Sequence, residues 1–345
     1  MRIRGLGRLR KLARQVRKRF APFGLILLYH RVAEVGSDPW SLCVSPRHFA
    51  EHLEVLRKIT RPVHLHQLTD AIRDRECPHR PVVVTFDDGY ADNLYNAKPL
   101  LELYSIPATV FVTSGHIGHE REFWTDELDR LLLQPGTLPA TLLFRLNGST
   151  YQWELGTSAH YSEDAYQHHR CWRALNEDNP TPRQYLYRSL YQLLRASPEA
   201  ERRQMLDELL VWAGADPEIR PTHRFLTKTE VSALGQGNLI EIGAHSVTHP
   251  LLADLPAALQ ENEIQQSKTH LEEILGNPVS SFAYPHGNYT AQTRAIVQEA
   301  GFSYACSTVG DVAWRGSDHF QLPRFQVEDW DGEEFASRLS RWFHS

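Results

Sequence analysis

Seven short apolar runs punctuate this chain: LILLYH at 25–30, PVVVTFDD at 81–88, PATVFVT at 107–113, LIEIGAHS at 239–246, SFAYPHG at 281–287, YACST at 304–308 and FQLPRF at 320–325. Several are almost continuous in Val, Ile, Leu and Phe, as strands are when both faces of a sheet are covered. Helix-like segments lie between them. In SPRHFAEHLEVLRK, Ser45 stands where an N-cap belongs and Pro46 at the first helical position, while LPAALQENEIQQSKTHLEEILGN and TAQTRAIVQEAGF each reach a glycine where a helix should stop. This alternation predicts a parallel sheet. About seven such units predict an α/β fold curled into a distorted (β/α) barrel, and 345 residues with 41% hydrophobic content suffice for its core.

One connection is out of proportion, because between Thr113 and Leu239 the chain is far longer than the roughly dozen residues a crossover needs. The expected organisation is therefore a basic segment at 1–20, a barrel built from 21–115 and 226–345, and an inserted, mainly helical subdomain at 116–225. The insertion holds Trp124, Trp153, Trp172 and Trp212, half of the eight tryptophans. Such aromatics form either a small local core or a wall beside the active site on which sugar rings stack; Trp124 is the candidate for the wall.

The apolar runs end in polar groups: His30, Asp87 with Asp88, Thr113, His245, Tyr284 with His286, and Arg324. In a barrel the C-terminal strand ends share one rim, so these residues are expected to be neighbours. Gly89 permits a sharp turn after the two aspartates, which lets both carboxylates face the rim. One can hold a metal while the other stays free for proton transfer. His245 and His249 are four apart, but Pro250 biases His249 away from helical dihedrals, so His245 belongs at the strand end and His249 in the following turn. Two neutral imidazoles and a carboxylate make a three-ligand site with open positions, as catalytic zinc requires; iron(II) accepts the same set.

TFDDGY at 85–90, HSVTH at 245–249 and FAYPHGNY at 282–289, in this order, resemble the motifs of the polysaccharide deacetylases, the NodB-homology class of carbohydrate esterase family four. The resemblance covers most of 21–115 and 226–330. It implies Asp88, His245 and His249 as ligands of one divalent ion, zinc by preference, and Asp87 as the catalytic base. It further implies an N-acetylated glycan as substrate, with the oxyanion held by the metal and a backbone N–H near Tyr284. Tyr284 and Pro285 are, with Trp124, the expected substrate-binding residues. Two departures stand out. SSFAYPHG lacks the arginine usual in the third motif, which leaves Arg324 to orient the base, and the late Leu-x-x-His acid is missing. LLYHRV at 27–32 is similar to the first strand of the poly-N-acetylglucosamine deacetylase branch, which implies His30 as the acid. Two alternatives stay open: a metal-dependent amidohydrolase or esterase acting on another substrate, and an inactive barrel that only binds glycans.

Charge and composition narrow the partners. Residues 1–19 hold nine of the 37 Lys and Arg and none of the 42 Asp and Glu, so the rest of the chain is more acidic than the net −5 suggests. Nucleic acid is accordingly not expected as a partner. With Ile3, Leu6, Leu9 and Leu12 at helical spacing, the basic block is either a tail or an amphipathic helix making peripheral contact with an anionic membrane. No run approaches the roughly 18 apolar residues of a membrane span, and FGLILLYH is too short for a secretory signal. Four scattered cysteines indicate no disulfide framework. The expected location is the cytoplasm or the inner membrane surface.

Overall fold

The computed structural model describes residues 23–74, 78–146 and 148–344; the basic segment at 1–20, with its expected membrane contact, lies outside the described residues. Six strands form a parallel sheet: β1 (Phe23–Tyr29), β2 (Pro81–Phe86), β3 (Ala108–Val112), β4 (Ile240–Ala244), β5 (Ser281–Ala283) and β6 (Tyr304–Cys306). They lie side by side in chain order, with Leu27 opposite Val84, Phe86 opposite Val110, Val112 opposite Ala244, and Ala283 opposite Cys306. Closure comes from the last apolar run. Leu322 bridges in parallel to Cys306 of β6, and β7 (Phe325–Gln326) pairs in parallel with Leu27 and Leu28 of β1. The chain between them thus joins the two outer strands. Only these residues of the expected FQLPRF strand pair, because Pro323 has no N–H to donate to a ladder.

Every residue of β2 and β3 is buried, as their unbroken apolar sequences demand. Alternate residues serve different layers. Leu25, Leu27, Val82, Val84 and Phe86 pack outward among surrounding helices, whereas Ile26, Val83, Phe111, Ala283 and Cys306 fill the inside. Leu65, Leu68 and Ile72 of the helix Leu65–Asp74 join that inner group, and a Cβ on Gly24, at the start of β1, would meet Leu68 Cδ1 at 2.5 Å. The helix therefore stops the end where the strands begin. Chemistry is left to the other end.

Helix boundaries follow local signals. Ser45 caps Pro46–Ile59 by accepting from His48 N–H, Thr290 and Thr293 form a capping box at Ala291–Glu299, and Gly276 ends Ala257–Leu275 with φ +68°. The long connection opens with the helix Trp124–Leu132 and a hairpin, Thr141–Leu146 against Ser149–Glu154, before the helices Glu163–His169, Pro182–Ala196 and Glu199–Ala213. Its own apolar residues, including Leu128, Trp153, Leu186 and Leu209, form a second core that reaches the barrel through Tyr90 and Phe225. No helix among the described residues is long and apolar enough to cross a membrane.

Candidate active site

At the end of β2, Asp87 N–H still bonds the Tyr29 carbonyl at 3.0 Å, so Asp87 continues the sheet. Asp88 breaks away. Its φ is +76° and that of Gly89 is +81°, and a Cβ on Gly89 would lie 2.9 Å from Val112 Cγ1. Ser246, His249 and His286 also have positive φ, at +62°, +55° and +56°. Non-glycine residues in this region cost about 1–3 kcal/mol each and persist where surrounding structure holds them. Here they gather around the ends of β2, β4 and β5.

Asp88 Oδ1 lies 3.5 Å from His245 Nε2 and 3.4 Å from His249 Nε2. His245 Nδ1–H donates to the Ala283 carbonyl at 2.8 Å, which fixes the tautomer and leaves the Nε2 lone pair facing Asp88. His249 is held by its turn: its N–H bonds Ser246 Oγ at 3.0 Å. The N–H groups of Val247 and Thr248 both bond Glu263 Oε2 at 2.8 Å, and Thr248 Oγ1 donates to Glu263 Oε1 at 2.7 Å. A brace from the helix Ala257–Leu275 therefore shapes the second imidazole's loop.

These three residues are almost wholly buried. Burial and the neighbouring Asp87 push the Asp88 carboxyl well above its usual range. Burial holds both imidazoles below theirs, His249 the further because other histidines surround it. Asp88 Oδ1 and His249 Nδ1 are buried without a hydrogen-bond partner. Such orphaned atoms are uncommon in native proteins. A carboxylate lacking a counter-charge beside two neutral imidazoles, with ligand atoms within 4.8 Å of one another, suits a divalent cation. A second group, His64, His66 and Glu241, is half-exposed at the far end of β4, where His66 Nδ1 already bonds Glu241 Oε1 at 2.5 Å.

Asp87 has a different partner. Arg324, 0% exposed, grips it with two hydrogen bonds of 2.7 Å and is itself fixed by the Ser307 carbonyl at 2.9 Å and Thr85 Oγ1 at 3.1 Å. Burial alone would raise the Asp87 carboxyl, but the guanidinium and His245 outweigh it and hold the pKa below the usual carboxylate value. Asp87 Oδ2 is 3.8 Å from His245 Nε2. It stays ionised beside the ligand set.

These groups form the floor of a cleft of about 410 Å³, shared with His30 and His286. Burial lowers His30 to about 4, although the Asp87 charge pulls it upward, and lowers His286 to about 3. Trp40 and Tyr191 form the aromatic wall, stacked at 3.8 Å between ring centroids.

The three expected substrate-binding residues are placed elsewhere. Trp124 is buried behind Tyr191, 5.0 Å from its ring, with the Arg202 guanidinium 5.3 Å away on its own ring, and it packs the insertion's core rather than the cleft. Tyr284 is fully buried against Tyr289. Its hydroxyl donates to the Phe320 carbonyl at 2.9 Å, and its N–H is taken by the Cys306 carbonyl at 3.1 Å in the sheet. Pro285 is buried in the turn that follows. The residue of this loop that reaches the cleft is His286, whose left-handed backbone turns the chain there. Sequence reasoning noted it as a polar strand end without giving it a role. Trp40, Tyr191 and Glu263 were missed altogether, since nothing local distinguishes them from other loop and helix residues.

Residues 74–143 and 220–305 match the family model for polysaccharide deacetylases. YxkH of Bacillus subtilis, which carries the name of a polysaccharide deacetylase, is 28% identical over 134 residues, 37% of this chain and 46% of that relative, so the chain spans less than half the relative's length. Among solved structures, the deacetylase PplD of Streptococcus pyogenes has a TM-score of 0.57 at 16% identity, covering 92% of this chain and 99% of that one. IcaB from Ammonifex degensii has a TM-score of 0.56 at 18% identity, covering 94% and 97%. Likeness at such identity speaks to the fold. In sequence over these segments, and in fold over most of the chain, the protein is similar to the polysaccharide deacetylases.

Proposed function

We propose that the chain hydrolyses the acetamide of N-acetylated sugars in a polysaccharide or lipid-linked glycan, with one divalent ion, by preference zinc, held by Asp88, His245 and His249. The observation that carries this reading is the pairing of two unlike carboxylates on the cleft floor: one buried without a counter-charge beside two neutral imidazoles, the other kept ionised by Arg324. A bound ion would polarise the acetyl carbonyl and lower the pKa of the attacking water towards about 7.

Asp87, free of ligand duty, accepts the proton of that water. Arg324 fixes the plane of its carboxylate through both oxygens, so the basic lone pair is aimed before substrate arrives. The developing oxyanion needs a main-chain donor. Tyr284 N–H is committed to the sheet and Pro285 has none, which makes the N–H of His286 the donor this loop supplies. His30 enters the cycle neutral, so it gains its proton within the cycle from Asp87 and gives it to the departing amine. Acetate and a free amino sugar leave.

The test is acetate release from a panel of N-acetylated glycans and lipid-linked sugars, with and without chelator, alongside elemental analysis of the purified protein. Chelator-sensitive acetate release is expected. Tightly bound ion without hydrolysis of any member would leave a glycan-binding barrel instead, and hydrolysis that survives complete removal of the ion would overturn the mechanism.

A further inference from the structure

The helix Pro182–Ala196 of the insertion sends Arg188, Tyr191 and Arg195 to the cleft at intervals of three and four, so they share one helical face. Tyr191 meets Trp40 across the cleft wall. Neither arginine meets a carboxylate, and neither is filled by main-chain carbonyls as Arg183 of the same helix is, through Ser158, Leu132, Gln134, Gly136 and Ala159. Arg121, Arg220 and Arg31 each meet carboxylates, through Glu127 at 2.6 Å, Glu122 at 2.7 Å and Asp92 at 3.0 Å. The Arg195 side chain makes no hydrogen bond or ion pair among the described residues, and its Nε is buried without a partner. Arg188 has only the Glu177 carbonyl and the face of Trp172, 5.2 Å away, and its Nε is orphaned too.

Nothing lining the cleft neutralises this charge, because its carboxylates are Asp87 and Asp88, one gripped by Arg324 and the other committed to the ion site. For a neutral glycan, the Trp40–Tyr191 wall would suffice by stacking. Two partly desolvated guanidinium groups call for an oxyanion, which they recognise through paired, charge-assisted hydrogen bonds. In a chain of net charge −5, such a patch is no by-product of overall basicity.

The geometry points to an anionic substrate: an N-acetylated saccharide whose phosphate ester or uronate carboxylate is bound by Arg188 and Arg195 while its acetamide lies over Asp87 and Asp88. This rests on the deacetylase reading and adds the substrate's charge to it.

Binding to the full chain is measured by tryptophan fluorescence with three probes: N-acetylglucosamine 1-phosphate, a hyaluronan tetrasaccharide and neutral N-acetylated chitotetraose. Each is run with zinc and after chelation, so that phosphate held by the ion is separated from phosphate held by arginine. At least one anionic probe is expected to bind about tenfold or more tighter than the neutral one, by an advantage that salt erodes and that survives chelation. Which anion wins identifies phosphate or uronate as the source. In Arg188→Gln/Arg195→Gln the advantage falls towards one. Arg195→Gln alone gives a partial loss and, having no internal bond to break, guards against misfolding as the cause. Equal binding of all three probes, or an advantage retained in the double variant, overturns the inference. Acetate release is followed in parallel on the same probes. Turnover of chitotetraose without anionic preference sinks the inference and spares the deacetylase reading, whereas arginine-dependent anion binding with no acetate from any probe does the reverse.

Discussion

Asp87 and Asp88 are adjacent in sequence and opposite in electrostatic fate. Arg324 holds one carboxyl low, while burial beside that charge drives the other high. The two therefore divide a base from a ligand, and substitutions should separate them. Asp87→Asn keeps the shape and the ligands, so the expected outcome is retained metal content with a turnover lower by about 10²–10⁴-fold, the usual reach of a general base. Equal loss of metal and rate would refute the division. His30→Ala should lower turnover without altering metal content; an unchanged rate across pH would place the acid elsewhere. Much of this floor was legible in the sequence, because residues that directly follow a strand must lie at the rim, and Asp87, Asp88 and His245 do so; Arg324, just ahead of β7, lies beneath the floor and reaches it through Asp87. Tyr284 was misjudged for the same reason that made it visible. One position short of the turn, it still spends its N–H on the sheet and its ring on the core, and His286 reaches the cleft instead.

At the scale of elements, the site depends on loops whose dihedrals are imposed from outside. The turn at 246–249 carries two left-handed residues, Ser246 and His249, and Glu263 bonds two of its N–H groups and the Thr248 hydroxyl. Glu263→Ala is expected to weaken metal affinity about 10–100-fold, as loss of an outer support typically does, while the metal-free protein keeps its helical circular dichroism. Unchanged zinc affinity by competitive titration would show that the loop holds its shape unaided. The helix carrying Glu263 was readable from its length and its terminal glycine. Its role as a brace was not, since an acidic residue on an amphipathic helix has no local mark distinguishing a support from a solvated charge. Closure of the barrel was likewise visible only as a seventh apolar run; that it is made by a single bridge and two paired residues follows from Pro323.

Considered as a whole, the molecule sets a second core beside the barrel, and Arg31, next to His30, ties them. It bonds Asp92 at 3.0 Å and the Thr222 carbonyl, lies 3.8 Å from Asp126, and sits 4.4 Å over the Tyr90 ring, while only 2% exposed. The sequence announced an insertion by its length and aromatic content, yet could not say how it sits on the barrel, because the joint is made by hydrogen bonds between groups up to 191 positions apart. Arg31→Met removes the cation facing buried Asp92 and half-buried Asp126 and is expected to cost about 3–5 kcal/mol in chemical denaturation. It should raise KM with metal content intact, because Trp40 and Tyr191 lose their fixed relation to the floor.

The same joint sets a pH dependence. Asp126 is pushed up to about 6 by burial, against the pull of Arg31. Its native carboxyl thus keeps a proton that the unfolded chain, with the ordinary aspartate value of 3.8, gives up. The native state then binds more protons than the unfolded one, so this group makes stability fall as pH rises from 3.8 through about 6, and adds no further slope above that. Asp129, also pushed to about 6, acts with the same sign. Asp126→Asn should therefore reduce the decline between those pH values without abolishing it, and Asp126→Asn/Asp129→Asn should flatten it further. Parallel stability curves for the wild type and both variants across that window would show that the joint is wetter than its packing implies, with both carboxylates already ionised at their ordinary pH.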